Sequence, residues 1–211
     1  MIIKTNRRIH IIDYGMGNLK SIINSLNYLG YENITVDDSE ANIEKSDFLI
    51  LPGVGAFDQA MYNLESRGLI DPLSDSVIKQ KKPVLAICLG MQLIMQSSEE
   101  GEARNGLCWL DGKVELLTPD NNLRIPHVGW NNLNIANKTY LFDGMGQSPD
   151  FYFVHSYHVL CDASLTLATC NYGNDFNAAL NYENIFAFQF HPEKSQKNGL
   201  KLIDNILSNT L

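Results

Sequence analysis

Cys88 ends the apolar run Pro83-Val84-Leu85-Ala86-Ile87-Cys88, with Ala86 two places before it and Gly90 two places after. That pattern predicts a nucleophile elbow, where a strand turns sharply into a helix and leaves the nucleophile at the apex. Side chains at −2 and +2 approach each other across so tight a turn, so small residues make it possible. A cysteine there also meets the positive end of a helix, which favours thiolate. Taken alone, Cys88 reads equally well as a small buried hydrophobe, as do Cys108, Cys161 and Cys170. The difference lies further along, at Phe188-Gln189-Phe190-His191-Pro192-Glu193. His191 and Glu193 are two apart and face the same way on extended chain, and Pro192 suits a strand end. Nucleophile, base and orienter describe acyl transfer through a cysteine.

The loop Pro52-Gly53-Val54-Gly55 follows another apolar run. It is a turn between strand and helix, and not a Walker A loop, since no GKS or GKT follows. Beside an elbow, Gly53, Val54 and Gly55 let backbone N–H groups approach a ligand oxygen, forming an oxyanion hole with the N–H of Leu89. Tyr14-Gly15-Met16-Gly17-Asn18 is a glycine-bearing turn at a helix start, weakly like a phosphate site. Pro126-His127-Val128-Gly129-Trp130-Asn131 places a tryptophan in a loop, as core packing or as an interface anchor. His155 and His158 lack a third ligand, so no metal is expected, and no cofactor either.

These segments need a scaffold. Apolar runs at 9–12, 33–36, 48–51 and 83–88 read as strands, and 19–29, 57–67, 71–80 and 91–96 as helices. Such alternation predicts an open, mostly parallel, flavodoxin-like α/β sheet with helices on both faces. Strands over 151–155, 165–171, 178–182 and 185–190 predict an antiparallel extension, closed by an amphipathic helix carrying Leu200, Ile203, Ile206 and Leu207. No repeat or linker interrupts residues 1–211, which read as one domain. The segments 13–15, 52–55 and 88–90 then converge on one rim, at the carboxyl ends of parallel strands.

The bulk properties exclude other classes. With 211 residues the chain can bury a sizeable core. A net charge of −8 argues against nucleic acid as partner. No apolar stretch is long enough to span a membrane, and the lead-in before Ile9 is no signal peptide. The cysteines form no CxxC pair, so the reducing cytoplasm is the expected compartment.

Assembled, these motifs resemble the class I glutamine amidotransferases. The elements YGMGN, PHVGWN and HPEKS narrow the resemblance to the glutaminase subunits of imidazole glycerol phosphate synthases. The resemblance implies Cys88 as nucleophile, His191 as acid/base and Glu193 as its orienter. It also implies that Gln92, Glu100 and the Ser156-Tyr157 backbone hold the amino-acid end of glutamine. It further implies a heterodimer with a (β/α)8-barrel cyclase, with Trp130, Tyr152, Lys194 and Asn18 around the interface. Close relatives in that group supply ammonia to a sugar-modifying synthetase in polysaccharide biosynthesis, an alternative the triad cannot separate. Ala86 replaces the more common elbow glycine, a change the turn tolerates.

Overall fold

In the computed structural model, which describes residues 7–102, 104–120, 123–136 and 138–210, strands and helices alternate through the first half. The order is β1 (Ile9–Ile12), α1 (Leu19–Tyr28), β2 (Ile34–Asp37), α2 (Glu40–Lys45), β3 (Phe48–Leu51), α3 (Phe57–Ser66), α4 (Ile70–Ser74), β4 (Val84–Ile87) and α5 (Leu89–Leu93). Strands dominate thereafter: β5 (Ser97–Ser98), β6 (Gly112–Leu116), β7 (His127–Ile135), β8 (Asp150–His155), β9 (Tyr157–Cys161), β10 (Thr166–Tyr172), β11 (Asn174–Tyr182) and β12 (Ile185–Phe188), before α6 (Gln196–Asn209). Residues 1–6, Ala103, Asn121, Asn122, Asn137 and Leu211 lie outside the described residues.

The main sheet runs β2-β1-β3-β4-β12-β11-β10-β7-β8. It is parallel from β2 to β12 and antiparallel from β12 to β8. Strands β5, β6 and β9 form a second, small sheet.

Alternate side chains of the central strands enter opposite cores. Ile9, Ile11, Phe48, Ile50, Leu85, Ile87, Phe186 and Phe188 pack on one face with Ile22 and Leu26 of α1 and Leu202 and Ile206 of α6. Leu49, Leu51, Val84, Ala86, Ile185 and Ala187 pack on the other with Phe57, Ala60 and Leu64 of α3 and Leu73 of α4. A strand buried on both faces must be apolar at every position, which is why these read as continuous runs. Each large side chain fully buried there contributes about 1.5–3 kcal/mol.

Three expectations change. Trp130 lies on β7, not in a loop, and pairs in register with Tyr152. The helix expected over 71–80 is α4 followed by a π-helical turn, Asp75–Lys79. The helix after the elbow spans Leu89–Leu93 rather than 91–96, because N–H groups of Leu107, Trp109 and Leu110 capture the Leu93 and Ile94 carbonyls. The small sheet and the short helix α2 complete the differences; each is too short to show a period.

Candidate active site

Cys88 joins β4 to α5 with φ +52° and ψ −106°, the strained turn of an elbow. Its N–H is held by Phe188 O at 2.7 Å, so β12 anchors the apex. Gly90 is required, though for another reason than contact with residue −2. A Cβ there would lie 2.2 Å from Leu51 O on the neighbouring β3. Gly90→Ala is therefore expected to lower unfolding stability by about 3 kcal/mol in urea titration; a loss below about 0.5 kcal/mol would mean that the elbow shifts freely.

The three segments expected on one rim do converge. Tyr14 OH donates to Pro52 O at 2.7 Å. Gly53 packs so tightly on the elbow that a Cβ would lie 2.6 Å from Leu89 Cβ. Gly55, at φ +109°, sits against Met16. The N–H of Leu89 belongs to the first turn of α5 and has no intrahelical acceptor, and Leu89 lines the cavity described below.

Beside β4 lies β12, whose chain continues to His191. His191 Nδ1 stands 2.8 Å from Glu193 Oε1, with both side chains 1% exposed. A carboxylate only accepts, so Nδ1 carries the hydrogen. In neutral His191, Nε2 is then left as a base. Nε2 is buried and closes no hydrogen bond at rest, and neither does Glu193 Oε2. Burial opposes charge on His191, but the nearby Cys88 sulfur and Glu193 outweigh it and raise its pKa to about 10. This favours the imidazolium form of His191 at neutral pH.

A cavity of about 150 Å³ opens onto Cys88 and His191. Of the expected residues, Val54, Gly55, Leu89, Gln92, Glu100 and Tyr157 also line it. Glu193 stands behind His191, and Gly53 behind the elbow. Gln92 is buried and commits its amide nitrogen to Tyr157 O at 2.9 Å and Gln189 Oε1 at 3.1 Å. Both of its hydrogens are thereby used, so what it offers a ligand is an acceptor oxygen. Glu100 Oε2 accepts from Phe57 N–H at 3.0 Å, and burial raises its pKa. Ser156 uses its carbonyl for Leu117 N–H.

Trp130, Tyr152 and Lys194 come together away from that cavity. Trp130, 44% exposed, meets the Tyr152 ring edge-on at 6.1 Å, and Lys194 Nζ lies 6.0 Å above that ring. Tyr152 O also accepts the His191 N–H at 2.9 Å. Asn18 caps α1 from another direction, with no side-chain cap bond.

Sequence reasoning missed Gln189, Val154, His155 and His127. Gln189 is fully buried with Nε2 3.7 Å from Cys88 Sγ; its signal was a lone amide between two phenylalanines. Val154 O lies 3.8 Å from the same sulfur. Among the described residues, no cluster of His, Cys, Asp and Glu is placed to hold a metal, and no helix is long and apolar enough to cross a membrane.

The family description "Glutamine amidotransferase class-I" matches residues 10–209. The chain is 52% identical over 200 residues to the imidazole glycerol phosphate synthase subunit HisH 2 of Vibrio vulnificus, covering 95% of this chain and 94% of that one. It is 45% identical over 199 residues to HisH 1 of Campylobacter jejuni, covering 94% and 98%. A solved glutamine amidotransferase shares the fold, with TM-score 0.73 at 17% identity over 95% of this chain and 97% of the other. Identity at this level across nearly the whole length leaves room for one conclusion: the chain belongs to the class I glutamine amidotransferases, in the branch of the imidazole glycerol phosphate synthase subunits HisH.

Proposed function

We infer that the protein is the glutaminase subunit of an imidazole glycerol phosphate synthase, releasing ammonia from glutamine for histidine biosynthesis. One observation carries this reading: Cys88, on a strained elbow, opens into the same cavity as His191, whose outer nitrogen is held by the buried Glu193. The names of its relatives favour this pathway over polysaccharide biosynthesis.

In this reading the Cys88 thiolate attacks the side-chain amide carbon of glutamine. The developing oxyanion is met by backbone N–H groups of Leu89 and the Gly53-Val54-Gly55 loop. His191 passes its proton to the amide nitrogen, ammonia leaves and a glutamyl thioester remains. His191 then takes a proton from water, which hydrolyses the thioester to glutamate and returns the thiolate. The acceptor oxygens of Gln92 and Glu100 suit the substrate's α-ammonium, while the Ser156-Tyr157 backbone borders the same end.

The partner in this reading is a (β/α)8-barrel cyclase, in the cytoplasm, with the chain acting as one domain. Trp130 offers an exposed aromatic anchor, and Tyr152 links that face by one backbone hydrogen bond to His191. Asn18 and Lys194 complete the interface. The Gly53-Val54 peptide is the control point, since one oxyanion donor is worth about 10²–10³ in rate.

Ammonia release from glutamine, with and without the barrel synthase and its nucleotide substrate, tests this. The expected result is slow release alone and acceleration of at least about 10²-fold in the liganded complex. Equal rates would remove the control point. Activation by a sugar-modifying synthetase alone would move the protein to the other pathway, and no ammonia with either would sink the reading.

A further inference from the structure

A hydrogen-bonded chain runs from the nucleophile through Gln92 and Tyr157 to the outer strands, and the proposed chemistry gives its histidines no part. Gln189 Nε2 points at Cys88 Sγ, and Gln189 Oε1 accepts from Gln92 Nε2. Gln92 Nε2 also donates to Tyr157 O. The same carbonyl lies 2.9 Å from His155 Nδ1. His155 Nε2 lies 3.1 Å from His127 Nδ1, and His127 Nε2 lies 3.4 Å from Asn131 Nδ2. Asn131 stands next to the exposed Trp130 on β7, and His127 faces His155 across the β7–β8 pair.

The direction of every bond in this chain is forced. A carbonyl only accepts, so His155 Nδ1 must carry the hydrogen. Neutral His155 then has Nε2 as an acceptor, which makes His127 Nδ1 the donor. His127 Nε2 is left to accept from the Asn131 amide. Neutrality follows from the surroundings. The His127 ring is stacked on Phe153 at 4.9 Å and on Tyr172 at 4.1 Å, and Phe176 lies 5.0 Å from His155. Burial lowers the pKa of His155 to about 3 and that of His127 to about 4. The ionisable groups acting on His155 are His127, His158 and His191, none of them a carboxylate. No acid fixes the tautomer; the Tyr157 carbonyl on one ring nitrogen and the His127 N–H on the other fix it together. His155 lines the catalytic cavity, whereas His127 stands behind it.

We propose that His155 and His127 are positioning residues of the glutamine pocket. His127 locks His155 in its Nδ1–H tautomer, and His155 pins the Tyr157 carbonyl. That carbonyl in turn orients Gln92, so that its remaining oxygen meets the substrate. The assignment rests on reading the cavity as a glutamine site, and it concerns binding of the amino-acid end rather than the bond-breaking step.

Steady-state kinetics of His127→Leu in the liganded complex test it. KM for glutamine is expected to rise about tenfold with kcat changed less than about twofold, the scale of one lost hydrogen bond. His127→Asn keeps a donor at the Nδ1 position and is expected to restore most of the loss. In the wild-type chain without glutamine, ¹⁵N spectra should report His155 protonated at Nδ1, and His127→Leu should mix its tautomers. An unchanged KM overturns the assignment, as does equal loss in His127→Leu and His127→Asn. So does a wild-type His155 protonated at Nε2. Should His127→Leu not fold, His127→Asn and the wild-type tautomer still decide. A wild type inactive on glutamine, with His155 locked as stated, would sink the glutaminase reading and leave the His127–His155 lock standing.

Discussion

Cys88→Ala is expected to lower glutamine turnover in the liganded complex by about 10⁶-fold, the scale seen when the nucleophile of a triad is removed. Nothing else among the residues around the cavity can form the acyl intermediate. The remaining thiols, Cys161 and Cys170, are held protonated by burial, and Cys108 is exposed elsewhere. The fold should survive. Alanine keeps the Cβ and the same φ cost, so the unfolding midpoint in urea should move little. Turnover within about a hundredfold of wild type would mean that water attacks glutamine directly, and Cys88 would be left as packing.

Glu193→Gln is expected to cost about 10³–10⁴ in kcat, the second-largest effect. The carboxylate accepts from His191 Nδ1 at 2.8 Å, with both side chains buried. A glutamine amide can turn its NH2 to Nδ1, which would place the imidazole hydrogen on Nε2, the wrong nitrogen for this chemistry. The imidazolium would also lose its counter-charge, so the raised pKa of His191 should fall. The pH dependence of the His191 ring ¹⁵N shifts reads this separately from turnover. The imidazolium should be lost at lower pH in Glu193→Gln than in wild type. An unshifted profile with normal kcat would make Glu193 a structural acid.

Much of the catalytic arrangement was legible because it is written in short local patterns. The elbow follows from Ala86, Cys88 and Gly90, and the His191–Glu193 pair from a two-residue spacing at a strand end. Their meeting follows from strand alternation, since parallel strands deliver their carboxyl ends to one rim. Strand β7 was not legible. Val128 and Trp130 point outward on it, Gly129 has φ +138°, and its pairing partners β8 and β10 come later in the chain. The stop of α5 was hidden for the same reason, because the N–H groups that end it come from residues 107–110. The polar chain through Gln189, Gln92, His155 and His127 depends on which nitrogen meets which oxygen in three dimensions, and no spacing rule encodes that.

The placement of β12 bears on how the protein comes into being. It lies mid-sheet, paired with β4 on one side and β11 on the other, although it follows β1 through β11 in the chain. No shorter nascent chain can close the sheet, because the gap between β4 and the antiparallel half stays open until residues 185–188 fill it. Until then Cys88 lacks both the carbonyl of Phe188 that holds its N–H and the histidine that follows. Catalytic competence thus requires a long-range closure, a kind of contact that forms slowly compared with a local helix. A partially made chain cannot squander glutamine.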